Sequence, residues 1–110
     1  QRKVKKMVHK LETLEQLDTF LQQTNGEGLI KVGLSYCAPC KELAPHFEEA
    51  SEKTDLVFAE VTVDEFTDFK QRYFVKGAPL LLYLKDGETK RRYIGVKTSE
   101  EILEWLNGNT

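Results

Sequence analysis

At 110 residues and 12.7 kDa the chain has room for one hydrophobic core and not for two, so a single domain is expected. Hydrophobic residues at 40% and charged residues at 31% are ordinary globular values, and a net charge of −2 argues against a binder of nucleic acid or other polyanions. No apolar run approaches the roughly 18 residues of a membrane span, and two cysteines do not make the disulfide framework of a small secreted scaffold.

In chain order, residues 1–6 read as a basic, solvated tail ahead of a domain covering 7–110. Residues 4–10 carry Val4, Met7 and Val8 in loose alternation and suggest an edge strand. Thr13-Leu14-Glu15-Gln16 matches a capping box, Leu14, Leu17, Phe20 and Leu21 follow at helical spacing, and Asn25-Gly26 supplies a stop. Residues 29–35 form a short apolar run of the kind a buried parallel strand shows, with Lys31 in its middle, where an ammonium needs a partner. A helix follows through Leu43, Phe47 and Ala50, interrupted by Pro45, which cannot donate to the Lys41 carbonyl.

Residues 56–63 read as a second buried strand, broken by Glu60. Asp64 is expected to cap a short helix carrying Phe66, Phe69 and Tyr73. After Gly77-Ala78-Pro79 come a solidly apolar strand at 80–84, a turn at Asp86-Gly87 and a partner strand at 89–94, hence an antiparallel hairpin ended by Gly95. Thr98-Ser99-Glu100-Glu101 is a second capping box, and Ile102, Leu103 and Leu106 give the closing helix its apolar stripe, with Trp105 at the margin. This order, a parallel crossover half followed by a hairpin and a helix, predicts a mixed sheet with helices on both faces.

The chemistry concentrates in Tyr36-Cys37-Ala38-Pro39-Cys40-Lys41, which holds both cysteines three positions apart. If this segment opens a helix the two sulfurs share a face, and Pro39 suits a first turn because the donors there have no intrahelical acceptor. Cys37 at such an end gains thiolate stabilisation from the helix dipole and becomes the attacking group, while Cys40, one turn in, resolves the mixed disulfide. Two other readings stand beside the redox pair: plain core cysteines, or half of a zinc site. The zinc reading needs two further ligands from a chain whose only histidines are His9 and His46, both expected at the surface, and no metal is assigned.

From about Met7 onward the chain resembles the thioredoxin family. The resemblance rests on the Cys37-Ala38-Pro39-Cys40 motif with Lys41, on Pro45, on Ala78-Pro79, on Asp86-Gly87 and on Gly95, in that order. It implies an α/β thioredoxin fold, a mixed central β-sheet of about five strands flanked by four helices, and a thiol–disulfide oxidoreductase that needs no bound cofactor beyond a Cys37–Cys40 disulfide. Protein disulfides would be the substrates and an NADPH-dependent thioredoxin reductase the electron donor, with the chain a monomer and neither nucleic acid nor membrane a partner. The expected compartment is the cytoplasm, with an organelle or export after leader removal as the alternative.

Pro79 would be cis, Ala78 would pair through its backbone with an extended substrate, and Tyr36, Ala38, Pro39, Gly95 and Val96 would complete the rim. Three positions depart from the family pattern. Tyr36 stands for the usual Trp, Ala38 for the usual Gly, and Lys31 for a buried Asp. Glu60 falls where the family carries a Lys near that Asp, so the pair is reversed in sign, either with Glu60 the candidate proton acceptor for Cys40 and Lys31 the candidate thiolate stabiliser, or as a structural swap with proton transfer through water. Two alternatives accompany the reductase: a binding module that uses the same groove, and an oxidant or isomerase of less reducing potential.

Overall fold

The computed structural model describes residues 8–108; the basic tail, Val4 and Met7 lie outside them. The elements are β1 (His9–Lys10), α1 (Leu14–Gln23), β2 (Gly28–Gly33), α2 (Ala38–Ser51), β3 (Phe58–Thr62), a 3-10 turn (Val63–Glu65), α3 (Thr67–Tyr73), β4 (Leu80–Lys85), β5 (Glu88–Ile94) and α4 (Ser99–Leu106). The five strands form one sheet in the order β1-β3-β2-β4-β5. β1 and β2 pair with β3 in parallel, while β4 runs antiparallel to both β2 and β5.

Strand side chains alternate between the two faces, and the alternation builds one apolar layer on each face of the single sheet. On one face Ile30, Val32, Ala59, Val61, Leu80, Leu82 and Leu84 pack with Leu17 and Phe20 of α1 and Phe69 and Tyr73 of α3. On the other, Leu29, Phe58 and Leu81 meet Leu43, Phe47 and Ala50 of α2 and Ile102 and Trp105 of α4. Lys31, Gly33 and Glu60 fall in register with this second set, so the sequence period alone puts them beneath α2.

Several local expectations shift. The apolar run at 29–35 stops as a strand at Gly33, because Leu34 turns out to solvent and the Ser35 N–H donates to Asp64 Oδ1 at 3.0 Å instead of to the ladder. Asp64 is therefore not the cap of α3. Phe66 occupies that position without a side-chain cap, and the residues before it form the 3-10 turn. Thr13 caps α1 as expected, but the Gln16 amide oxygen accepts from Glu12 N, one residue earlier than a capping box requires. At Thr98 the reciprocal box is complete. α2 runs as one continuous helix across Pro45. Trp105, expected at the stripe's margin, is 3% exposed, with the Tyr93 ring edge-on and the Arg91 guanidinium 5.3 Å from its centroid.

The hairpin turn places Asp86 and Gly87 at φ 56° and 78°, as a two-residue turn of the primed type requires. Gly87 N donates to Gly26 O, and a Cβ on Gly26 would come within 2.5 Å of Gly87 N, so only glycine fits that approach.

Candidate active site

α2 begins where β2 leaves the sheet, and Cys37 is its N-cap. The Cys37 backbone is extended, and its Sγ accepts the Cys40 N–H at 3.2 Å, one of the donors a helix start leaves unpaired. Ala38 and Pro39 take the first two helical positions, and Lys41 N donates to Cys37 O. Cys37 and Cys40 are disulfide-bonded, with their Cα atoms 5.2 Å apart. The half-buried Cys37 is open to attack or to attacking, whereas Cys40 is 7% exposed and shielded. Among the described residues no group of three or more His, Cys, Asp or Glu side chains is placed to hold a metal.

Beneath the second sulfur lies bare backbone. A Cβ on Gly33 would stand 3.4 Å from both Cβ and Sγ of Cys40. Lys31 sits two residues earlier on the same face of β2, about 7 Å along the strand. Its Nζ is 3.4 Å from Oε1 of Glu60, its direct ladder partner on β3, and 5.7 Å from the Phe47 ring centroid. The two ends of the pair differ in access to water: the Lys31 side chain is 14% exposed and that of Glu60 38%.

The Ala78–Pro79 peptide is cis. Val32 pairs with Leu80, so Pro79 enters the sheet across from Gly33, and Gly95 N donates to Pro79 O at 2.9 Å. Gly33, Cys40, Pro79 and Gly95 thus gather at one end of the sheet. Around them Ala38 and Pro39 are exposed, Ala78 is half-buried and Tyr36 is 95% exposed. Val96 follows Gly95, half-buried, and packs in part on the α2–α4 core. His9 is exposed with its ring edge against Phe20, and His46 is half-buried on α2.

A groove of about 390 Å³ opens beside this mouth between Leu34, Val63, Val75 and Ala78, with Lys70 and Lys76 in its lining. Apart from Ala78 none of these residues stands out in the sequence, because the groove is assembled from three separated segments. Next to it the Ser35 hydroxyl donates to Glu65, and hydrogen bonding from Ser35 holds the Asp64 carboxyl below its ordinary range against a smaller opposing desolvation.

The thioredoxin family model matches residues 8–108. The chain belongs to the thioredoxin family. Thioredoxin H9 of Arabidopsis thaliana is 36% identical over 97 residues, which cover 84% of this chain and 69% of that protein. The thioredoxin of Mycoplasma pneumoniae is 33% identical over 102 residues, 92% of this chain and 99% of that one. The crystal structure of reduced Schistosoma mansoni thioredoxin superposes with a TM-score of 0.82 at 26% identity, covering 94% of this chain and 98% of the other. With the family, the mixed five-stranded sheet and the Cys37–Cys40 disulfide together, the chain is a thiol–disulfide oxidoreductase acting on protein disulfides.

Proposed function

We propose that the chain works in the reducing direction. Cys37 as thiolate attacks one sulfur of a substrate disulfide, a mixed disulfide forms, and the other substrate sulfur leaves as thiolate and takes a proton. Cys40, deprotonated, then attacks Cys37 Sγ, closes the intramolecular disulfide and releases the second substrate thiol. Two electrons pass to the substrate. An NADPH-dependent reductase returns them to the Cys37–Cys40 pair.

The observation that carries this reading is the contrast between the two sulfurs: an accessible one at a helix N-cap, joined to a shielded one resting on Gly33. Glu60 takes the proton of Cys40, and its wetter position gives that proton a way out. Ala78 and Gly95 offer backbone to an extended substrate, and Tyr36, Ala38 and Pro39 supply the rim. The pairing of Lys31 with Glu60 favours the reductase over the oxidant or isomerase, because a neutralised ammonium does little to stabilise a nearby thiolate. The chain acts as a monomer in the cytoplasm, where such a pair is kept reduced.

Insulin reduction is the test. Pre-reduced protein is expected to precipitate the insulin chains, and Cys37→Ser to abolish this. Turnover surviving in Cys37→Ser would contradict the assignment.

A further inference from the structure

Residues 74–79 join the end of α3 to β4 and carry Ala78, whose backbone meets the substrate in the reading proposed above. β5 holds this segment at three points. Arg92 and Ile94 pair with Leu82 and Leu80 across the β4–β5 ladder and therefore share the sheet face on which α3 packs. The Arg92 guanidinium donates through Nη1 to Tyr73 O at 2.8 Å and through Nη2 to Phe74 O at 3.0 Å, where the segment begins. Ile94 abuts Gly77, since an added Cβ there would meet its Cδ1 at 3.2 Å. Gly95 N completes the series, donating to Pro79 O at 2.9 Å.

The Arg92 contact does more than pack. The last carbonyls of a helix have no intrahelical donor, and at the end of α3 Val75 N reaches only Lys70 O, which leaves Tyr73 O and Phe74 O to partners from outside the helix. Water satisfies such carbonyls at most exposed helix ends. A guanidinium instead grips two successive carbonyls with one rigid fork, so it fixes both peptide planes and with them the direction in which the chain leaves α3. That direction is unusual, because Phe74 is left-handed at φ 56°, ψ 51°.

Nothing of opposite charge competes for the fork. Among the described residues no carboxylate lies within ion-pair distance of Arg92, whereas Arg72 on α3 lies 3.7 Å from Asp18. Arg92 is itself exposed, so its bonds contribute modestly to folding. Val75, 5% exposed in the layer shared with α3, keeps the segment on the protein with or without them. What Arg92 adds is orientation.

We propose that Arg92 is a positioning residue for substrate docking: by fixing the Tyr73 and Phe74 peptides it sets the path of residues 75–78 and so presents the Ala78 backbone to an extended substrate segment. The inference rests on the reductase reading and deepens it with a side chain that acts only through the backbone it holds.

The test is dithiothreitol-driven insulin reduction by wild type, Arg92→Lys and Arg92→Met, set beside single-turnover reduction of dipyridyl disulfide, a small substrate with no backbone to dock. In Arg92→Met, KM for insulin is expected to rise roughly three- to tenfold with kcat within about twofold of wild type. Arg92→Lys, which keeps the charge and loses the fork, should raise KM only about twofold, and it decides alone if Arg92→Met does not fold. Dipyridyl disulfide should react at the wild-type rate in each folded variant. Unchanged KM in both variants, or equal slowing with both substrates in a variant of native circular dichroism, overturns the positioning role; insulin reduction by wild type then leaves the reductase reading standing. Failure of the wild type to reduce insulin overturns both.

Discussion

Lys31 and Glu60 face each other directly across the parallel β2–β3 ladder, Nζ 3.4 Å from Oε1, on the sheet face that carries Gly33 against Cys40. Each charge makes the other's position tolerable, since an ammonium with 14% exposure lacks full hydration. Glu60→Gln is expected to slow the resolving step and to shift the pH profile of kcat/KM. Its cost in stability should fall between the near-zero of exposed pairs and the several kcal/mol of buried ones, about 1–2 kcal/mol. Adding Lys31→Met should recover part of that stability and none of the rate, which a double-mutant cycle with pre-steady-state kinetics would resolve. An unaltered rate and pH profile in Glu60→Gln would remove Glu60 from proton transfer.

Phe74→Asn should stabilise the fold. The substitution relieves a left-handed backbone at φ 56° and gives up little buried surface, because the ring is already 72% exposed. A gain of about 1 kcal/mol, roughly 5 °C in Tm, is expected in thermal denaturation. A loss of stability would show that the ring packs on the protein in solution.

Tyr83 donates its hydroxyl to Glu27 Oε2 at 2.7 Å, and burial first, then that carboxylate, push the phenol up to about 12. An unfolded tyrosine ionises near about 10, so the folded state holds this proton more tightly. The resulting stabilisation is complete below about pH 10 and is lost as pH rises toward 12. Tyr83→Phe should therefore flatten the alkaline fall in stability across that window, measured by urea denaturation at stepped pH. An unchanged slope would assign the fall to other groups, among them Tyr73, which burial also raises.

Cys40→Ser should accumulate a mixed disulfide between Cys37 and substrate, because attack proceeds and resolution does not. Mass spectrometry after mixing with oxidised insulin checks it, with Cys37→Ser expected to trap nothing. Adducts on Cys40 in the Cys37→Ser protein would reverse the assignment of attacking and resolving sulfurs.

Much of this architecture is legible along the chain where the signals are local. The two apolar runs around Lys31 and Glu60, the Thr98 capping box and the Asp86-Gly87 turn each predict their element from a few adjacent residues. The cysteine motif is likewise self-contained. Long-range partners are what the sequence conceals: the Ser35–Asp64 bond joins residues 29 apart, and it takes from Asp64 the cap that its position suggests. The groove is hidden for the same reason, since Leu34, Val63 and Val75 converge only after the sheet forms. Phe74 escapes because a left-handed helix end is ordinarily announced by Gly or Asn, and here the signal residue is aromatic.

The equilibrium reduction potential of the Cys37/Cys40 pair bears most directly on the direction of electron flow. Equilibration of the protein in graded dithiothreitol redox buffers, read by thiol labelling, is expected to give a value near the roughly −270 mV of a reductase, since Glu60 neutralises Lys31, two residues along the strand from Gly33. A potential at or above about −180 mV would contradict the reductase and assign the chain to oxidation or isomerisation.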